Sequence, residues 1–361
     1  MPFKSQVVID GAVIGKYCEP YIIAEVSGNH GGDLERATQL IRASAKAGAS
    51  AVKLQTYTAD TMTLDCDRPE FMINDTSSIW NGRSLYDLYK EASTPWEWHA
   101  ELFSLAREEG ITIFSSPFDI TAVDFLDKLD VPCFKISSFE CTDLRLLQAV
   151  AKTGKPVILS TGTASLSEIA KSVETLEEFG CTQLILLICA SLYPAPAESI
   201  RLERITRLAN LFNIPVGLSD HSLGLTIPIA AIGAGASVIE KHFTLDDGVK
   251  TVDSDFSITS SELIVLCKEA RLASIALGDG AYGWEGSDES ARRYRRSLYF
   301  SNNINEGDVI RADDIKAVRP GFGLKTMHFD TVIGMVATKN IKYGTPVAWG
   351  LLKANSVDDD N

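Results

Sequence analysis

The chain has 361 residues, 45% hydrophobic and 23% charged, with a formal net charge of −14 at pH 7; this is a globular composition, long enough for one large domain and a small one. The acidic balance excludes nucleic acid as the main partner, no run approaches the roughly 20 apolar residues that span a bilayer, and the start MPFKSQVVIDG lacks the basic-then-apolar pattern of a secretion signal. Seven cysteines (Cys18, Cys66, Cys133, Cys141, Cys181, Cys189, Cys267) form an odd set without a C-x-x-C pair, so a reducing cytoplasm is expected and a disulfide framework or structural zinc site is not.

In chain order, short apolar runs rich in β-branched residues occur at 21–27 (YIIAEVS), 51–56 (AVKLQT), 112–117 (TIFSSP), 133–137 (CFKIS), 156–161 (PVILST), 184–189 (LILLIC), 215–220 (PVGLSD) and 238–244 (VIEKHFT). Each ends in small or polar residues, which predicts eight strands. Between them lie segments of helical period. In 33–47, Leu34, Ala37, Leu40, Ile41 and Ala45 share a face, with Asp33 as cap and Gly48 as terminator. The spans 95–109, 120–129, 144–152, 165–179, 200–211, 223–233 and 260–277 read the same way. Such alternation implies parallel pairing in either an open doubly wound sheet or a closed barrel. Eight units over about 260 residues favour an α/β fold of the (β/α)8 TIM-barrel type, and no G-x-G-x-x-G follows the first strand.

Beyond Ser297 the helical period fades and a repeat emerges. Asn303-Ile304-x-x-Gly307-x-x-Ile310-x4-Ile315-Lys316 matches Asn340-Ile341-x-x-Gly344-x-x-Val347-x4-Leu352-Lys353 at an offset of 37 residues. The expected organisation is therefore a barrel over 1–285, a linker over 286–296 and a small pseudo-symmetric β-rich domain over 297–355, followed by a frayed acidic tail, SVDDDN. The basic run Arg292-Arg293-Tyr294-Arg295-Arg296 reads first as a solvated linker.

Barrel chemistry gathers at the C-terminal ends of the strands. Those ends carry Glu25, Lys53, Gln55, Ser115, Ser116, Lys135, Ser137, Ser138, Ser160, Thr161, Ser191, Ser219, Asp220, His221, Glu240 and His242. Lys53 and Lys135 interrupt apolar runs, and a buried lysine needs an anionic partner. Three readings are open: an ion pair with Glu25 or Glu140, a Schiff base, or an anion cradle shared with the hydroxyls of Ser116, Ser138, Ser160 and Ser219. His221 and His242 end adjacent strands and suit one shared divalent ion. His30 beside Gly31-Gly32 reads as a loop residue, and His99 and His328 as helix or surface positions. Metal, anion cradle and carboxylates together suggest carbon–carbon bond formation at a carbonyl.

The stretches IIAEVSGNHGGDLERA, AVKLQTY, FSSPFD, FKISSFE, KPVILSTG, LICASLYPAP, GLSDHSLG, VIEKHFTLDD and VDSDFS, taken in order, resemble the sialic acid synthase family over essentially the whole length. The RPGFGL stretch and the repeat resemble the antifreeze-like (SAF) domain fused to these enzymes. The resemblance implies a phosphoenolpyruvate-dependent nonulosonic acid synthase, a transferase that condenses phosphoenolpyruvate with an open-chain amino sugar by C–O cleavage, dependent on Mn2+ or Mg2+. By it, His221 and His242 fall on metal-ligand positions. Lys53, Ser116, Lys135, Ser138, Ser160 and Ser219 fall on phosphoenolpyruvate positions, and Glu25, Gln55, Phe118, Tyr193 and Asp253 on sugar-side positions. Glu25 or Glu140 would shuttle protons, and Arg319 matches an arginine that reaches a partner subunit, which implies a domain-swapped homodimer.

One departure points within the family. Where sialic acid synthases carry Asn in C-T-N-x-Y-P, this chain reads CASLYP, with Ser191 at that position. The stretches KLQTYTADTMTL and LYDLYKEASTPWEWHAELF resemble the pseudaminic acid synthase branch, whose sugar is the altrose isomer of a 2,4-diacetamido-2,4,6-trideoxy hexose. The alternatives are an N-acetylneuraminate or legionaminate synthase, a Schiff-base lyase using pyruvate, and a non-enzymatic assembly protein carrying an SAF-like binding module.

Overall fold

The computed structural model describes residues 3–76, 78–278 and 287–355. The chain divides into two compact units, Met1–Asp279 and Gly280–Asn361. The expected barrel end at 285, the first linker residue 286 and the acidic tail lie outside the described residues. The rest of the expected linker includes a short helix, Ser287–Arg292.

The first unit opens with a hairpin that the strand pattern does not anticipate, β1 (Gln6–Ile9) and β2 (Ala12–Gly15), paired antiparallel. Asp10 and Gly11 turn it with φ of 47° and 81°, the positive-φ pair that Asp-Gly favours in a tight hairpin. Each strand is only four residues long, too short to stand out against loop sequence. Val7, Ile9 and Ile14 are fully buried with Tyr21, Ile23, Ala51, Phe114, Cys133, Ile158, Leu187 and Val238. Tyr21, Ala51 and Val238 begin their strands, so the hairpin plugs the N-terminal mouth of the barrel.

The eight barrel strands are β3 (Tyr21–Glu25), β4 (Ala51–Thr56), β5 (Thr112–Pro117), β6 (Phe134–Ile136), β7 (Val157–Ser160), β8 (Leu184–Cys189), β9 (Val216–Asp220) and β10 (Val238–Thr244). All neighbours pair parallel, and β10 closes the ring against both β9 and β3. The sequence reading places all eight within two residues of their observed ends. Their apolar outer positions form one core with the helices, among them Leu40, Leu102, Leu147, Leu176 and Leu263, which is why these strands are hydrophobic on both faces.

The helices follow the same reading. Asp33 caps Leu34–Ala47 by accepting from Glu35 N–H, and Gly48 ends it in the left-handed region. Ser165 and Glu168 form a capping box for Leu166–Glu178. The 200–211 span is Glu203–Phe212 preceded by a turn at Ala197–Ile200, and the 95–109 span is a 3-10 turn, Trp96–Trp98, leading into His99–Glu108. The long β4–β5 connection also carries a helix, Leu85–Ala92, that the sequence reading passed over.

In the second unit the 37-residue repeat is a structural twofold. Ile304 and Ile341 exchange backbone hydrogen bonds of 2.9 and 2.8 Å. Gly307 N–H donates to Ala337 O and Gly344 N–H to Phe300 O, the same bond 37 residues apart. Asn303 Oδ1 accepts from Tyr343 N–H and Asn340 Oδ1 from Glu306 N–H, each at 2.8 Å. Leu298, Phe300, Ile304, Ile310, Ile341 and Val347 fill the small core between the copies.

Candidate active site

At the C-terminal mouth of the barrel, inward positions of β3, β4, β5, β6, β9 and β10 converge on two ammonium groups. Lys53 Nζ lies 2.6 Å from Glu25 Oε2, donates to Ser116 Oγ at 3.3 Å, and sits 3.9 Å from Glu240 Oε2. Lys135 Nζ lies 3.1 Å from Glu240 Oε1, and Ser219 Oγ donates to that same oxygen at 2.9 Å. Gln55 Nε2 donates to Glu25 Oε1 at 2.8 Å. All four charged groups are at most 4% exposed, so each depends on these partners rather than on water.

The two carboxylates titrate far apart. Burial pushes Glu25 up to about 7, against the pull of Lys53. Burial would raise Glu240 as well, but Lys135, Lys53 and the Ser219 hydroxyl overcome it and hold the group down at about 2. One carboxyl therefore exchanges protons near neutrality while its neighbour stays charged, the separation expected of a proton-transfer group beside a fixed anion. Burial would lower Lys53, yet Glu240 and Glu25 keep it above the usual lysine range. A lysine held as ammonium is a poor Schiff-base nucleophile.

Next to the lysines lie the hydroxyls. Ser138 Oγ and Ser191 Oγ share a hydrogen bond of 2.7 Å, and Thr163 Oγ1 fastens the backbone by donating to Ser138 O at 2.8 Å. Gly162 makes room for this contact, because a Cβ there would stand 2.5 Å from Ser191 Oγ. Ser160 Oγ is buried and, among the described residues, has no hydrogen-bond partner. A buried donor left open in this way, on the strand paired with that of Lys135, suits an anionic ligand.

Across the mouth, His221 and His242 stand with ring centroids 5.4 Å apart. Phe256 packs on His242 at 4.9 Å and Tyr193 on His221 at 4.4 Å. Trp80, from the β4–β5 connection, packs on Tyr193 and donates Nε1–H to Val252 O at 3.0 Å. His221 Nδ1 faces Ala190 O at 3.0 Å, which fixes the ring and turns Nε2 away from that bond. His242 Nδ1 is buried without a hydrogen-bond partner among the described residues and lies 3.9 Å from Asp253 Oδ2. Asp253 is itself held by Gly28 N–H at 3.0 Å. Paired imidazoles with an open nitrogen fit one divalent ion. No third His, Cys, Asp or Glu among the described residues joins them as a ligand group, so water or substrate would complete the shell.

The structure thus gathers Glu25, Lys53, Gln55, Ser116, Lys135, Ser138, Ser160, Ser191, Tyr193, Ser219, His221, His242 and Asp253 around one mouth. Glu140 stands apart from the ion pairs and accepts from the Ser137 hydroxyl, its carboxyl raised by burial. Phe118 packs edge-on to Tyr57 at 5.1 Å. Arg319 is an exposed residue of the second unit. The partner of Lys135 is Glu240, which sequence reasoning set among the strand ends but gave no role; the clue was a charged residue in the apolar run VIEKHFT. His99 opens the helix His99–Glu108, as the helix reading has it, and is fully buried with Nε2 2.8 Å from Thr56 Oγ1 rather than at the surface.

Residues 40–282 match the NeuB family, and residues 295–353 match the SAF domain. The chain belongs to the NeuB family. It is 42% identical to the pseudaminic acid synthase of Campylobacter jejuni subsp. jejuni serotype O:2 over 330 residues, 91% of this chain and 96% of that one. The N,N'-diacetyllegionaminic acid synthase of the same organism is 35% identical over 325 residues, 89% and 96% of the two chains. The crystal structure of N-acetylneuraminic acid synthetase from Leptospira borgpetersenii serovar Hardjo-bovis, 31% identical, superposes with a TM-score of 0.72 over 80% of this chain and 96% of that one. The NeuB barrel and its SAF domain therefore run in the order the sequence implied.

Proposed function

We propose that the chain is a pseudaminic acid synthase, condensing phosphoenolpyruvate with 2,4-diacetamido-2,4,6-trideoxy-altropyranose, in its open-chain aldehyde form, to give pseudaminic acid and phosphate. The observation that carries the choice of sugar is the gap between 42% and 35% identity to two synthases of one organism that differ in product.

The site chemistry supports this reading. Lys53 and Lys135 offset the carboxylate and phosphate charges; Ser116, Ser160 and the member of the Ser138–Ser191 pair whose hydroxyl hydrogen is free donate to their oxygens, while Ser219 keeps Glu240 in place beside them. C3 of phosphoenolpyruvate attacks the aldehyde carbon, whose oxygen takes up a proton; water adds at the electron-poor C2, and the C2–O(phosphate) bond then breaks as the new hydroxyl gives up its proton and the C2 carbonyl forms, releasing phosphate. Glu25, poised at about 7, accepts the proton of that water, with Gln55 orienting it. Gln55, Phe118, Tyr193 and Asp253 face the sugar, and Glu140 stands in reserve as a second proton carrier. When bound to His221 and His242, Mn2+ or Mg2+ would polarise the aldehyde oxygen. A homodimer that exchanges its SAF domains, bringing Arg319 to the partner's site, and a cytoplasmic location belong to the same reading.

Phosphate release with N-acetylmannosamine, the manno isomer and the altro isomer of the diacetamido sugar tests the substrate. The altro sugar is expected to give the highest kcat/KM, and preference for either competitor overturns the assignment. Phosphoenolpyruvate labelled with 18O at the C2 oxygen should pass its label to phosphate; retention in the sugar acid excludes C–O cleavage. His221→Ala in excess Mn2+ should abolish turnover while His328→Ala leaves it intact.

A further inference from the structure

Among the described residues, the most fully buried ion pair of the barrel lies outside the mouth. Strand alternation turns Ser219, Glu240 and His242 into the barrel, and Asp220 and Lys241 outward between strands and helices. Asp220 and Lys241 face each other in the β9–β10 register. Lys241 Nζ is 2.6 Å from Asp220 Oδ2 and donates to Ser222 O at 2.6 Å. The other carboxylate oxygen, Asp220 Oδ1, accepts from Ser222 N–H at 3.0 Å and Ser222 Oγ–H at 2.7 Å. Both side chains of the pair are 0% exposed.

Replacing a fully buried ion pair by a well-packed apolar pair of similar volume is often neutral or stabilising, so such a pair is weak evidence of a stabilising role. What distinguishes it from an apolar pair is the backbone its directional bonds hold. Asp220 directly precedes His221, Lys241 directly precedes His242, and Ser222 directly follows His221. The pair thus ties the backbone on both sides of His221 to the residue beside His242, and does so from the face opposite the substrates. An apolar pair would fill the same volume without directional bonds, leaving the 220–222 turn free to shift against β10.

We propose that Lys241 and Asp220, with Ser222, are positioning residues that fix the separation of His221 and His242 and so preorganise the site for a divalent ion; this rests on the reading of the two histidines as metal ligands. None of the three touches the ion or substrate.

The test is Mn2+ binding to the full chain, measured by titration calorimetry without substrate, alongside the thermal midpoint. Lys241→Met/Asp220→Asn removes both charges while keeping an acceptor for Ser222. It is expected to bind Mn2+ about 10–100-fold more weakly, the range for removal of groups that orient ligands, and to remain folded by circular dichroism. Ser222→Ala removes one arm only and is expected to weaken Mn2+ severalfold with little change in midpoint, so the question stays decidable if the double variant does not fold. Folded variants that lower the midpoint but bind Mn2+ within twofold of the wild type overturn the proposal and leave a structural ion pair. A wild-type chain that takes up no Mn2+ overturns the metal reading itself.

Discussion

Lys135 and Glu240 meet 3.1 Å apart, and Ser219 donates to the same glutamate oxygen. Lys135 sits on β6 and Glu240 on β10, so the contact spans the barrel interior rather than neighbouring strands. Lys135→Met would leave the Glu240 carboxylate buried with Lys53 at 3.9 Å as its remaining cation. Breaking a buried pair from one side costs roughly 3–5 kcal/mol. Adding Glu240→Gln removes the stranded charge and should restore much of that loss, while phosphate release stays abolished in both variants. Urea unfolding checks this non-additivity; a double variant no more stable than Lys135→Met refutes the pairing.

The buried imidazoles predict acid sensitivity. His99 bonds Thr56 Oγ1 and Pro95 O, and His30 bonds Thr94 Oγ1 and Gly32 N–H; burial pulls both down to about 4 from an ordinary 6.5. Between pH 6.5 and 4 the unfolded chain takes up protons that the native chain refuses. Their stabilisation is therefore complete above pH 6.5 and is lost towards pH 4, by up to about 1.4 kcal/mol per pH unit for each ring. Glu25, raised from 4.5 to about 7, works in the opposite sense over an overlapping window. The His99 contribution is thus measured as the difference between wild type and His99→Gln. That difference should shrink as pH falls from 6.5 to 4, and one constant with pH would contradict it.

Gly162 leaves no room for a side chain beside Ser191. An added Cβ would stand 2.5 Å from Ser191 Oγ and 3.1 Å from both the carbonyl oxygen and Sγ of Cys189. Gly162→Ala should displace Ser191 from Ser138, cost about 1–3 kcal/mol through overpacking, and raise KM for phosphoenolpyruvate roughly tenfold, the equivalent of about 1.4 kcal/mol. An unchanged KM would separate the Ser138–Ser191 pair from anion binding.

The twofold of the SAF domain makes a paired prediction. Asn303→Ala should speed amide hydrogen exchange at Tyr343, and Asn340→Ala at Glu306, each about fivefold for a bond of about 1 kcal/mol. Equal effects of either variant at both amides would show the two halves to be coupled as one unit rather than held by separate local bonds.

The barrel, its strand order and the small domain's repeat are legible in the amino-acid pattern, because these rest on local chemistry. Strand and helix periods, the Asp33 and Ser165 caps and the Gly48 terminator act within a few residues, and eight such units leave few ways to close. It also placed the reactive types at strand ends. Local pattern could not say which carboxylate serves which lysine. Lys53 took Glu25 from the adjacent strand, while Lys135 took Glu240 from across the ring and Glu140 turned to Ser137. Those choices depend on where each inward side chain falls around a closed barrel. The same is true of the β1–β2 plug, the reach of Trp80 over the mouth, and the outward Lys241–Asp220 pair. Burial removes water as an alternative partner, so residues distant in sequence must satisfy one another, and only the closed tertiary structure sets their distances.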